Sequence, residues 1–309
     1  MFQASMFPTQ FLGALPNLDD NVHKFSRGKV CVVAGSSSYP GAAMMAAKSA
    51  ARSGAGFVSL CVPDKIVKTC QTNLPSIVVS PLKSNKNGFI KKSAKLEPKF
   101  KNQDAILFGP GVGKETDLTE LLESILKIDT PVIIDADGIE TFSKLLKKRG
   151  AKTFKKRTAP IIITPHRGEL KRFLNDNCDI DFNRLSNIII KQMVQQHLRK
   201  FKKLNLVVVA KGVETLIITK ELCLEPMGGN GVLATSGTGD VLAGTIAGMI
   251  AQNKPKTINE AAGNCACAVE VHAVAGYIAG KDFGIRGALA TDICEKIGQA
   301  QDLLRTKVD

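Results

Sequence analysis

Short β-branched runs, each closed by glycine or by polar residues, recur along the chain and most constrain what it can fold into. Val30-Cys31-Val32-Val33-Ala34 ends at Gly35, and Ala105-Ile106-Leu107-Phe108 ends at Gly109-Pro110-Gly111-Val112-Gly113. Val132-Ile133-Ile134 ends in Asp135-Ala136-Asp137-Gly138, Ile161-Ile162-Ile163 in Thr164-Pro165-His166, and Leu206 to Ala210 in Lys211-Gly212. Phe57 to Val62 is a further run, preceded by the alanine-rich segment Ala42 to Ser53 and its stops at Gly54 and Gly56. Leu118 to Lys127 also has apolar residues at helical spacing. Strands alternating with helices predict an α/β fold with a central, mostly parallel sheet. Leu216 to Ile218 and Glu221 to Leu224 pair as a hairpin, and helices are expected over Asp240 to Gln252, Ile258 to Ala279 and Thr291 to Leu304. Ligands of open parallel sheets bind beyond the carboxyl ends of the strands, so these terminal motifs are expected to converge on one site.

Composition narrows the class. The chain has 309 residues, 44% hydrophobic and 23% charged, which suits one large globular domain and excludes disordered, collagen-like and fibrous proteins. Lys plus Arg exceed Asp plus Glu by 42 to 28, a net +14 that would attract phosphorylated ligands, anionic membranes or nucleic acid without choosing among them. The surplus sits in Lys83 to Lys101, Lys144 to Arg157 and Arg199 to Lys203, which read as solvated faces. The first two are expected to be surface insertions between core elements, and no internal repeat is visible. Eight cysteines without a CxxC pair predict buried, reduced thiols, and Cys265 and Cys267 would point to different sides of a helix. Met1 to Asn21 lacks a basic lead and is interrupted by Pro8 and Pro16, unlike a signal or transit peptide. Val241 to Ala251 is too short and glycine-rich to span a bilayer. The expectation is a soluble, cytoplasmic protein without a membrane association.

Ser236-Gly237-Thr238-Gly239-Asp240 stands directly before an apolar helix. Small residues and free amides at a helix start form an anion hole, here Gly237, Thr238 and Gly239. Asp240 would repel a phosphate there unless it removes a proton from the group the phosphate meets; the alternative is a first-turn carboxylate stabilised by the helix dipole. Lys211-Gly212-Val213-Glu214-Thr215 offers a charge, an open backbone and a hydroxyl to a nucleotide. His166 is either a ligand contact or part of an ordinary helix start in Thr164-Pro165-His166-Arg167-Gly168-Glu169. Asp135 and Asp137 either hold Mg²⁺ through water or are loop-forming aspartates. Gly109 to Gly113 offers a rigid, tightly turning backbone.

Taken together these motifs resemble the ADP- or ATP-dependent NAD(P)H-hydrate dehydratases of the ribokinase-like superfamily. The likeness runs from Gly28 to Leu304 and includes Gly41-Ala42-Ala43, Arg52-Ser53-Gly54-Ala55-Gly56, GPGVG, DAD, TPHRGE, Lys211-Gly212 with Thr215, and Ala234 to Gly244. GTGD alone fits most ribokinase-like kinases; TPHxGE with GPGxG and the early RSGAG segment is specific to the dehydratases. The resemblance implies a ribokinase-like three-layer α/β/α domain over residues 28–309 behind an N-terminal extension, 1–27. It implies a nicotinamide cofactor hydrated at C6, NADHX or NADPHX in the S form, as substrate, ADP or ATP as phosphoryl donor, and Mg²⁺. It places the hydrated cofactor against Ala42 or Ala43, Gly113, His166 and Asp240, and the nucleotide against Lys211 to Thr215 and Gly239. It also implies a homo-oligomer, with a homotetramer expected. Family members often carry an epimerase domain; the 27 residues before Gly28 are too few for one, so a separate NAD(P)H-hydrate epimerase is the expected functional partner. Glu140 stands where the family often has Asn, and Gly231-Val232 replaces a common Pro-Gly pair. The competing readings are a small-alcohol kinase of the hydroxyethylthiazole or hydroxymethylpyrimidine type, and a non-catalytic nucleotide- or nucleic-acid-binding protein.

Overall fold

Residues in the β-branched runs are buried on both sides, as strands must be when helices cover both faces of a parallel sheet. The computed structural model describes residues 11–16, 23–95, 102–154, 156–174, 180–201 and 204–305. Among these described residues nine strands form one sheet: β1 (Lys29–Val33), β2 (Phe57–Pro63), β3 (Val78–Leu82), β4 (Ala105–Phe108), β5 (Val132–Ile134), β6 (Ile161–Ile163), β7 (Leu206–Ala210), β8 (Leu216–Ile218) and β9 (Cys223–Leu224). Their order is β3-β2-β1-β4-β5-β6-β7-β8-β9, parallel through β7 and antiparallel from β7 to β9. Winding reverses direction between β1 and β4, which opens a crevice at their carboxyl ends.

Alternation along the strands feeds two cores. Val30, Val32 and Leu107 face one layer, with α1 (Pro40–Arg52), α7 (Thr238–Asn253), α8 (Ile258–Phe283) and α9 (Ala290–Arg305). Cys31, Val33 and Ile106 face the other, with α3 (Thr119–Leu126), α4 (Asp137–Arg149), α5 (Arg167–Phe173) and α6 (Asn187–Arg199). A short α2 (Val67–Asn73) leads to β3. This is the three-layer α/β/α arrangement expected from the sequence.

Two expectations need correction. Lys144 to Arg157 is no insertion: Lys144 to Arg149 form the last turns of α4, whose Phe142, Leu145 and Leu146 are buried. Arg157 is itself buried and donates to the carbonyls of Leu126, Ile128 and Thr130, tying the chain down before β6. Of Lys83 to Lys101, the part through Lys95 folds back on itself at the Ser84–Ile90 bridge and buries Phe89, Ile90 and Ala94; residues 96–101 lie outside the described residues. Arg199, Lys200 and Phe201 end α6, and Lys202 and Lys203 lie outside the described residues.

None of the seven described cysteines forms a disulfide, and six are buried; Cys178 lies outside the described residues. Cys265 and Cys267 are both buried in α8. Phe11, Ala14 and Leu15 of the N-terminal segment pack on the first core, and Asn253 donates to the Ala14 carbonyl at 2.7 Å. No helix among the described residues is long and apolar enough to cross a membrane.

Candidate active site

The strand ends are stitched into one continuous edge. The Gly35 amide donates to the Pro110 carbonyl at 2.8 Å, Gly109 to Val33 at 3.1 Å, Asp135 to Phe108 at 3.1 Å, Thr164 to Ile134 at 3.2 Å, and Lys211 to Pro165 at 2.8 Å. Gly109 makes this possible: at φ +122°, a β-carbon on it would lie 2.1 Å from the Asp135 carbonyl oxygen. The motifs read separately in the sequence therefore meet, as expected of a sheet whose loops share one rim.

Behind that rim lies a charge pair whose carboxylate is buried. Lys211 Nζ is 2.9 Å from Asp135 Oδ1, which also accepts from Thr164 Oγ1 at 2.5 Å. Burial works against the Lys211 ammonium, but Asp135, with Glu169 and Asp240, outweighs it and holds the pKa above the usual lysine value. The ammonium also abuts the start of α7, since a β-carbon on Gly239 would lie 3.2 Å from Nζ. That helix begins at Gly237, whose left-handed φ of +93° turns the chain into it, and Thr238 Oγ1 donates to the Leu233 carbonyl at 2.9 Å. Asp240 follows in the first turn. Burial, and next the charge of Asp135, raise its carboxyl to about 7, against the opposing pull of Lys211. A carboxylate poised there exchanges protons near neutral pH.

A cavity of about 420 Å³ adjoins this constellation, lined by Lys211, Gly212, Val213 and Thr215, by Thr238 and Gly239, and by apolar side chains of α7 and α8. Glu214 is not among its walls; its carboxylate instead accepts from Asn187 Nδ2 at 2.6 Å. Val213 is 91% exposed at the rim.

The other predicted residues lie in the loops and helix starts that follow the strands. Ala43 is fully buried beneath Gly35, whereas Ala42 is half-buried beside Gly111, so Ala42 is the one available at the crevice. Gly113 donates its amide to Asp137 Oδ2 at 3.2 Å and packs against Phe89. His166 caps α5, its Nδ1 accepting from the amides of Gly168 and Glu169 while its own amide donates to Glu169 Oε2 at 2.9 Å. The helix-start reading of His166 is thus realised, and its Nε2 lies 3.4 Å from Glu169 Oε1.

Asp135 and Asp137 lie at one rim, but Asp135 is engaged by Lys211 and Thr164. No cluster of three or more His, Cys, Asp or Glu suited to a metal occurs among the described residues. This donor set suits a Mg²⁺ carried mainly by ligand phosphates and water, with one or two carboxylates at its edge.

Sequence reasoning missed Thr164 as the hydroxyl that fixes Asp135, and His272 of α8, which lines the cavity. The available signal for His272 was an ionisable residue inside the apolar run Cys265 to Ala275.

A family model described as NAD(P)H-hydrate dehydratase matches residues 30–299. The chain is 34% identical over 290 residues to a bifunctional NAD(P)H-hydrate repair enzyme Nnr of Dictyoglomus turgidum, covering 91% of this chain and 52% of that protein. It is 32% identical over 243 residues to an ADP-dependent (S)-NAD(P)H-hydrate dehydratase of Bacillus subtilis, covering 76% and 77%. The chain spans about half the length of the bifunctional curated relatives it matches. Among solved structures, the Bacillus subtilis ADP/ATP-dependent NAD(P)H-hydrate dehydratase co-crystallised with ATP/Mg²⁺ superimposes with a TM-score of 0.73 at 26% identity, covering 98% of this chain and 99% of that one. With sheet order, strand-end motifs and these matches in agreement, the chain belongs to the NAD(P)H-hydrate dehydratase family.

Proposed function

We propose that this protein uses a nucleoside di- or triphosphate to dehydrate a nicotinamide cofactor hydrated at C6, NADHX or NADPHX, regenerating NADH or NADPH. The observation that carries the reading is Asp240, a half-buried carboxylate raised to about 7 at a helix start and near the partly buried Lys211. Hydroxide is a poor leaving group. Asp240 takes the C6 hydroxyl proton, the hydroxyl oxygen attacks the terminal phosphorus as the nucleotide's bridging bond breaks, and phosphate departs with the C6–O bonding pair while the C5 proton passes to water, restoring the C5–C6 double bond. Lys211 and the amides of Gly237 to Gly239 balance charge on the transferred group. Ala42, Gly113 and His166 flank the crevice that would receive the hydrated ring. Lys211, Gly212, Thr215 and Gly239 line the cavity that would receive the nucleotide. Asp135 and Asp137 would hold the edge of a Mg²⁺ carried by the phosphates, which would neutralise their charge.

The test incubates the protein with NADHX and either ADP or ATP, following the near-ultraviolet absorbance of the reduced nicotinamide and the phosphate released. Restored absorbance with one phosphate per turnover is expected; a stable phosphorylated alcohol instead would identify a kinase. Asp240→Asn should lower turnover by about a hundred- to ten-thousand-fold while nucleotide affinity stays within a few fold. Unchanged turnover defeats the assignment.

The pH dependence has a defined sign. As a base, Asp240 must be ionised, so turnover should rise with pH through about 7. For stability the same shift acts oppositely: the folded protein keeps this proton up to about 7, whereas the unfolded chain releases it near 3.8. The stabilisation is present at low pH and is lost as pH rises through that window. Denaturation midpoints of wild type and Asp240→Asn should therefore diverge between those two values, the wild type falling further.

A further inference from the structure

A second cavity, of about 370 Å³, opens between α4 and α5, and it shares no lining residue with the cavity beside Lys211. It starts at the rim. Asp137 and Glu169 line it, and the same two carboxylates hold the amides of Gly113 and His166, which flank the crevice proposed for the hydrated ring. From there the groove follows α4 as far as Lys147, ten residues beyond Asp137 and so about 15 Å along the helix axis. A dinucleotide whose nicotinamide sits in the crevice can lay its other half along such a path.

Five cations line this groove against three carboxylates, and the carboxylates are already engaged. Asp137 Oδ2 accepts from the Gly113 amide at 3.2 Å and Glu169 Oε2 from the His166 amide at 2.9 Å. Glu140 holds both Lys114 and Lys144 at 2.9 Å, and these lysines keep its carboxyl down at about 2, fully ionised near neutral pH. Lys171 turns away, donating to the Ile180 carbonyl at 3.1 Å. Lys147 and Arg172 remain, both exposed and without an ion-pair partner among the described residues. Each lies in the last turn of its helix, on either wall of the groove and at the end remote from the rim.

Two unneutralised cations at the far end of a groove suit a doubly charged anion there, and a phosphate monoester carries close to two charges near neutral pH. NADPHX and NADHX differ by one such group, the phosphate on the 2′-oxygen of the adenosine ribose, at the opposite end of the molecule from the nicotinamide. We infer that the groove between α4 and α5 takes the adenosine half of the hydrated dinucleotide, with Lys147 and Arg172 meeting its 2′-phosphate, so that this chain acts on NADPHX in preference to NADHX. The inference rests on the dehydratase reading given under Proposed function. With NADHX the same two cations would meet only a ribose hydroxyl, a contact without the charge.

The experiment measures kcat and KM for NADPHX and NADHX separately, at saturating ADP or ATP, whichever supports turnover. It compares wild type with Lys147→Gln, Arg172→Gln, the double variant and Arg172→Lys, with thermal midpoints as the control for folding. Wild type should favour NADPHX by about tenfold in kcat/KM, through KM rather than kcat. Each glutamine variant should lose about threefold for NADPHX and the double variant about tenfold, with NADHX within about twofold throughout, so that the preference vanishes. Arg172→Lys should keep most of it, and added salt should narrow it, because both cations are exposed and screened. Equal losses for the two substrates would mean that these side chains meet the shared pyrophosphate, and would overturn the assignment. A preference that survives the double variant would do the same. Turnover of both substrates at equal kcat/KM removes this inference while sparing the dehydratase reading; turnover of neither removes both.

Discussion

On one face of the sheet α1, α7 and α8 meet through Ala43, Ala46, Ala47, Ala50, Gly244, Ala247, Ala261 and Ala266, whereas the opposite face fills with Leu121, Leu122, Phe142, Leu145, Phe173 and Leu198. Small side chains bring helix backbones into near contact. A β-carbon on Gly244 would lie 2.1 Å from the Ala46 carbonyl oxygen, and one on Gly248 would lie 2.6 Å from that of Ala50. Large side chains instead hold their helices apart and interdigitate, as Phe142 and Phe173 do with ring centroids 6.3 Å apart. The difference matters because Asp240 and the Gly237 turn ride on α7, the helix fixed by the tight face. Backbone against backbone leaves α7 little freedom to slide, and the base proposed there would have to be placed to within a fraction of an ångström to act. The bulky face carries α5 and α4, whose ends supply the capping histidine and the rim aspartate Asp137.

The contrast can be broken from either side. Phe142→Ala empties a fully buried site on the bulky face and should cost about 3–5 kcal/mol in denaturant unfolding. Gly244→Ala overfills the tight face and should cost about 1–3 kcal/mol, although alanine is the better helix former; a neutral or stabilising outcome would show that α1 and α7 have room to part. The smallest effect sharpens the point. Gly263 lies in α8, and a β-carbon on it would have nothing within 4 Å, so Gly263→Ala should stabilise by about 1 kcal/mol. Glycine on this layer is thus required at Gly244 and dispensable at Gly263.

Much of this was legible in the sequence because β-branched runs carry their own boundaries. The central strands β1, β4, β5, β6 and β7 coincide with apolar runs, or fall within one residue of them, and end at the motifs that build the rim. The edge strand β3 escaped: Val78 is 48% exposed and Pro81 interrupts the run, which is tolerable only where a strand's outer side needs no partner. Helix α4 escaped for a different reason. Its buried Ile139, Phe142, Leu145 and Leu146 are interleaved with Lys144, Lys147 and Lys148, and the charge run masked the periodicity. At the site, residue identities gave the rim but not the pairings. That Asp135 engages Lys211, 76 residues away, and that Ala43 turns inward while Ala42 does not are consequences of packing between elements far apart in the chain, whereas the His166 cap is local and was legible as a helix start.

The Asp135–Lys211 pair has one more effect. Because the ammonium already has a carboxylate, an incoming anion must compete with Asp135 for it. A lone inorganic phosphate gains little in that contest. A ligand that also held the amides of α7 and the apolar walls would bring the further contacts needed to win it.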